Sequence, residues 1–208
     1  MPFRNVDEML QPDPRYKDLV VVRDGVARAL TMADHHSSVA EIDLTRDVPV
    51  DVRAAFDRAR NILLYAWFDY DLLVVGESQA FAAFELALKR CMNDKGMPGK
   101  GTLRNLIDQA RKRKILPPLM NRTNSLIDPI EALLLMRNAL AHGTTDIHSP
   151  AMALQVVDEV VAAAVVEAHR AQGLDDQALD LRRDGVERGL VLGGLHRAVE
   201  PLGDLHHV

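Results

Sequence analysis

From residue 49 onward, apolar side chains recur three and four positions apart, and that period restricts what this chain can fold into more than any other feature. Phe56, Ala59, Ile62, Leu63, Ala66, Trp67 and Tyr70 keep it across residues 50–70, which puts them on one face of an amphipathic helix. Residues 72–92 continue as a second helix, with Phe81, Phe84, Leu88 and Cys91 on its inward stripe, before a Gly- and Pro-containing loop at 93–100. A third helix follows the capping residue Thr102 and carries Leu103, Leu106, Ile107 and Ala110 into a basic end at 111–114, where Pro117-Pro118 stops it. A fourth starts at Asp128-Pro129, a cap followed by a proline at the first helical position. Its apolar run at 132–136 predicts anchoring in the core, and it reaches His142, with Gly143 as its stop. A fifth begins at Ser149-Pro150 and runs to about residue 172, where Gly173 ends it.

Residues 16–44 read differently. Leu19, Val20, Val21 and Val22 lead into the turn dipeptide Asp24-Gly25 and then into residues 26–32, the pattern of a short β-hairpin. A third extended piece is expected near 39–44, with His35, His36, Ser37 and Ser38 as a loop between. The expected organisation is an extension at 1–48 holding the hairpin, a bundle of five helices around one core at 49–173, and a tail at 174–208 with a charged helical piece at 175–183. The fold class is therefore all-α (mainly α), and 208 residues suit one core rather than two.

Several functions are disfavoured by what the chain lacks. A lone cysteine, Cys91, makes neither an internal disulfide nor a thiolate metal site, which predicts a reducing cytoplasmic setting and a buried structural thiol. Residues 1–14 carry acids and prolines where a signal peptide needs a basic start and an apolar run. The longest apolar stretch, 156–168, is broken by Asp158, Glu159 and Glu167, so no membrane span is expected. His35-His36 and His206-His207 lack further ligands at suitable spacing, and no metal site is expected from them. There is no Gly-rich phosphate loop, which disfavours nucleotide hydrolysis, and no cofactor is implied. Trp67, Phe68 and Tyr70 read as core or as a dimer contact.

The informative segment is Arg137-Asn138-Ala139-Leu140-Ala141-His142-Gly143, at the end of the fourth helix. Asn138 and His142 share a face, whereas Arg137 and His142, five residues apart, point about 140° away from each other. One copy makes a poor site, and a two-fold axis beside the helix end would bring Arg137 of one chain and His142 of the other onto one phosphate. Such a set suits metal-independent RNA cleavage: imidazole moves a proton from the ribose 2′-hydroxyl or to the leaving oxygen, and guanidinium neutralises charge building on phosphorus. The bland reading of the same residues is a routine helix terminus, with Arg137 placed favourably near the negative end of the dipole.

The six residues from Arg137 to His142 resemble the Arg-x4-His signature of HEPN domains, in its Arg-Asn form. Residues 59–70, Glu77 and 84–89 are similar to the first helix pair of bacterial HEPN-like proteins, and 103–107 resembles their third helix; the likeness covers about 50–173. It implies a helical bundle that dimerises through the motif helices, and in many members a metal-independent endoribonuclease of toxin-antitoxin or phage-defence systems. By position, Arg137 and His142 would be the catalytic pair, with Asn138 orienting His142 or the phosphate. An additional acidic residue from an early helix has two candidates, Glu77 and Glu85. The extension and the tail fall outside the family pattern.

A net charge of −5 argues against general polyanion binding, but Arg111, Lys112, Arg113 and Lys114, reinforced by Lys100, Arg104 and Arg122 and opposed nearby only by Asp108, could hold an RNA backbone. They also read as a solvated helix end that complements its dipole. The expected function is a homodimeric endoribonuclease or RNA-binding effector with a protein antitoxin or regulator. The rival is a catalytically silent dimerisation module that binds a protein or a nucleotide through the same helix ends. A further alternative is a structural subunit of a larger assembly.

Overall fold

The computed structural model describes residues 3–23, 25–119, 128–143 and 146–171. Among them lie a two-stranded antiparallel sheet, β1 (Val20–Arg23) and β2 (Val26–Ala29), and six helices. These are α1 (Met32–Glu41), α2 (Val50–Tyr65), α3 (Leu72–Asp94), α4 (Leu103–Lys112), α5 (Pro129–Ala141) and α6 (Pro150–Ala171). The fold is mainly helical with one small hairpin, as the periodicity predicts. No helix among the described residues is long and apolar enough to cross a membrane. The expected helical piece at 175–183, His206-His207 and Arg122 lie outside the described residues.

The bundle is built around α3. Leu73, Gly76, Ala80, Phe81, Ala83, Phe84, Ala87, Leu88, Cys91 and Met92 are all buried, more of the circumference than a surface helix hides. On one side α2 runs antiparallel to it, offering Val52, Ala55, Phe56, Ala59 and Leu63, with Arg90 on α3 paired to Asp51 on α2 at 2.7 Å. The two helices approach closely at Gly76, where a Cβ would lie 2.6 Å from the Leu63 side chain. On the other side α6 contributes Ala153, Val156, Val157, Val160 and Val161 to the same core. Helix α4 buries Leu103, Leu106, Ile107 and Ala110, the four that the sequence pattern selects. It is started by a capping box in which Thr102 and Asn105 satisfy each other's backbone N–H.

Two expectations are corrected here. Residues 35–44 are not a loop followed by a strand: residues 32–41 form α1, capped by Thr31, whose hydroxyl accepts from the Asp34 N–H while the Asp34 carboxylate accepts from the Thr31 N–H. The reciprocal cap starts a helix that places His35 and Val39 on one buried face. Asp34 also holds the hairpin, accepting from Arg28 of β2 at 2.6 Å. The second correction concerns the helix expected at 50–70, which ends at Tyr65. Trp67 and Tyr70 belong to the turn into α3, where they pack on Tyr16 with ring centroids 4.7 and 5.3 Å away.

The N-terminal residues are pinned to that turn by Asp13. Its buried carboxylate accepts from Arg4, from Arg15 and from the N–H of Tyr70, each at 3.0 Å, and Arg15 reaches on to Asp71 at 2.6 Å. Burial alone would raise the Asp13 carboxyl, but the hydrogen bonds from Arg15 and Tyr70 outweigh it and hold it at about 2. Val39, Ile42, Leu44 and Val48 join the same hydrophobic cluster as the helices that follow.

Candidate functional site

Helix α5 is positioned at both ends by local chemistry. At its start the Asp128 carboxylate accepts from the N–H groups of Ile130 and Glu131 at 3.0 and 3.2 Å, with Pro129 in the first helical position. At its end the His142 N–H donates to the Asn138 carbonyl at 3.0 Å, and Gly143, with φ of +77°, turns the chain away. Of the apolar run expected to anchor the helix, only Leu133 and Leu134 are buried. Five successive residues cannot all face inward on a helix, and Leu135 is 60% exposed.

Arg137 lines a groove of about 190 Å³ between α3 and α5, together with Ser78, Phe81, Ala82, Glu85, Leu140 and Ala141. The Arg137 guanidinium donates to the Asn138 Oδ1 at 3.4 Å, so the Asn138 side chain meets Arg137. His142 is exposed and is not among the groove residues. The angular divergence expected from a five-residue spacing is thus present within one protomer.

The two acidic candidates separate cleanly. Glu85 shares the groove with Arg137 and accepts from Lys89 at 2.6 Å. Glu77 is buried in the core, and both of its carboxylate oxygens lie against Nδ1 of His148, at 3.0 and 3.1 Å. Burial pushes the Glu77 carboxyl above its usual range, and the attraction of His148 only partly offsets this. His148 lies 71 residues away in the chain, in the connection between α5 and α6, and the sequence reading misses the pairing. A signal was present, because Glu77 falls one turn from Leu73 and Phe81 on the buried side of α3, where a carboxylate needs a partner.

The basic run is not the open patch that its sequence suggests. Arg104 and Arg111 both reach Glu131 of α5 at 2.6 Å, and Arg111 also donates to Asp128 at 2.8 Å. Burial raises the Glu131 carboxyl, but the two guanidinium groups outweigh it and bring it below its ordinary value. Arg113 donates to the Met97 carbonyl at 2.7 Å. The expectation that only Asp108 opposes the run is therefore corrected: two acids at the start of α5 face it. Lys100, Lys112 and Lys114 are exposed.

His35 is a core residue, with Nε2 2.8 Å from the Leu63 carbonyl and burial lowering its imidazole. His36 is exposed on α1. Comparison with known proteins finds no matching family model, no matching curated protein and no matching solved structure.

Proposed function

We propose that the chain is a HEPN-like homodimer that cuts RNA without a metal ion, its site formed by Arg137 of one protomer and His142 of the other. The observation that carries this reading is the end of α5, where Arg137 faces a groove between helices and His142 stands exposed one turn on, on a different face. Neither group has a buried structural duty. The exposed Leu135 and Ala139 on the same helix give a second copy an apolar strip to cover. A guanidinium and an imidazole brought onto one phosphate supply charge neutralisation and proton transfer for attack by the ribose 2′-hydroxyl. Glu85 and Asn138 are the polar groups that flank Arg137. Lys100, Lys112 and Lys114 are the candidates for the RNA backbone.

Purified dimer is expected to cut single-stranded RNA in excess chelator, leaving cyclic-phosphate ends, and His142→Ala is expected to lower the rate about a hundredfold or more without dissociating the dimer. Intact RNA after incubation with verified dimer would remove the enzyme claim. The rival, a silent interaction module, draws its support from Arg104 and Arg111, whose charges are engaged by Glu131 and Asp128 and so contribute less to a phosphate-binding face.

A further inference from the structure

Cleavage by a 2′-hydroxyl moves protons at two places, off the nucleophile and onto the leaving oxygen, and the Arg-x4-His segment brings a single imidazole. The pair formed by Glu77 and His148 has the build of a second one. Glu77 has 0% exposure, and its two oxygens converge on one nitrogen of His148. A carboxylate in the core whose role was only packing would be replaced by an apolar side chain at less cost. Committing Nδ1 to a carboxylate fixes the ring and leaves Nε2 as the lone-pair nitrogen, and the His148 side chain is 26% exposed. Glu77 lies one turn before the groove residue Phe81 on the same side of α3, and His148 is held against it from the connection between α5 and α6.

We propose that His148, oriented by Glu77, is the general base of the site, with His142 as the acid; this rests on the reading of the site as RNA-cleaving. Nε2 of His148 takes the 2′-hydroxyl proton, O2′ bonds to phosphorus, the bond from phosphorus to O5′ breaks, and O5′ takes the proton of the His142 imidazolium. The products are a 2′,3′-cyclic phosphate and a 5′-hydroxyl, and both imidazoles regain their starting states by proton exchange with water. His148 is a catalytic residue in this scheme and Glu77 a positioning one. Other charged groups on the surrounding elements include Glu85, Lys89 and Arg90 on α3, Glu131 and Arg137 on α5, His142 at its C-cap, Asp146 in the same connection, and Asp158 and Glu159 on α6.

The test is the pH profile of kcat for the intact dimer on single-stranded RNA. A base must be deprotonated and an acid protonated, so His148 governs the rising limb and His142 the falling one. His148→Asn retains an N–H donor toward Glu77 but has no second nitrogen to accept a proton. It is expected to melt like the parent, keep KM, lose about a hundredfold in kcat and lose the rising limb. Glu77→Gln keeps an acceptor for the His148 Nδ1–H but not the carboxylate, and is expected to lower kcat with KM unchanged. A folded, dimeric His148→Asn variant with the parental kcat and rising limb would overturn the assignment while leaving the composite site standing. A parent dimer that cleaves no RNA would overturn both.

Discussion

Asp13 ties together segments far apart in the chain, and its chemistry sets a measurable pH dependence. Its carboxyl sits at about 2 in the folded protein against 3.8 ordinarily. A depressed folded value means the unfolded chain binds the proton more readily as pH falls, so the stabilisation is present above about 3.8 and is lost on acidification toward about 2. The loss should be on the order of 2 kcal/mol. Denaturant titrations of the parent and of Asp13→Asn across that window are expected to converge as pH falls, with the variant the less acid-sensitive; parallel curves would contradict the assigned role. Little of this network was legible, because Asp13, Arg15 and Tyr70 meet only through tertiary structure. The same limit left Glu77 and Glu85 undecided and hid His148. Helical phase tells which side of α3 a residue faces, but not what the connection before α6 brings against it.

Among the elements, the long helices were readable because three- and four-residue spacing states the buried face directly, and the caps at Thr102 and Asp128 mark their starts. Helix α1 was not, since a ten-residue helix offers few turns of periodicity and its cap uses Asp at the position where Glu or Gln is the familiar signal. Gly76 marks a close contact between α2 and α3. Alanine there gains about 1 kcal/mol of helix propensity, but its Cβ would stand 2.6 Å from Leu63, and such overpacking typically costs about 1–3 kcal/mol. Gly76→Ala is expected to destabilise by about 1 kcal/mol in the parent and to stabilise in a Leu63→Ala background, where the clashing atoms are gone. Equal effects in both backgrounds would show that α2 and α3 do not meet at that point.

At the scale of the whole molecule, the bundle is an inward-facing apolar core, and α5 leaves Leu135 outside it much as α2 leaves Val50 and Tyr65 and α6 leaves Met152. The sequence stated the divergence of Arg137 and His142, because their spacing alone fixes it. The basic run shows the converse error at Arg104 and Arg111, which look free along the sequence but pair with acids at the start of α5, while Lys112 and Lys114 stay exposed. The central claim, that one working site takes residues from two copies, is tested most directly by mixing inactive variants. Arg137→Ala and His142→Ala dimers are each expected to be inactive, and subunit exchange should restore about a quarter of the parental RNA-cleaving rate, since half the dimers are hybrids and each hybrid holds one intact site of two. A mixture that exchanges subunits and stays inactive would contradict the shared site.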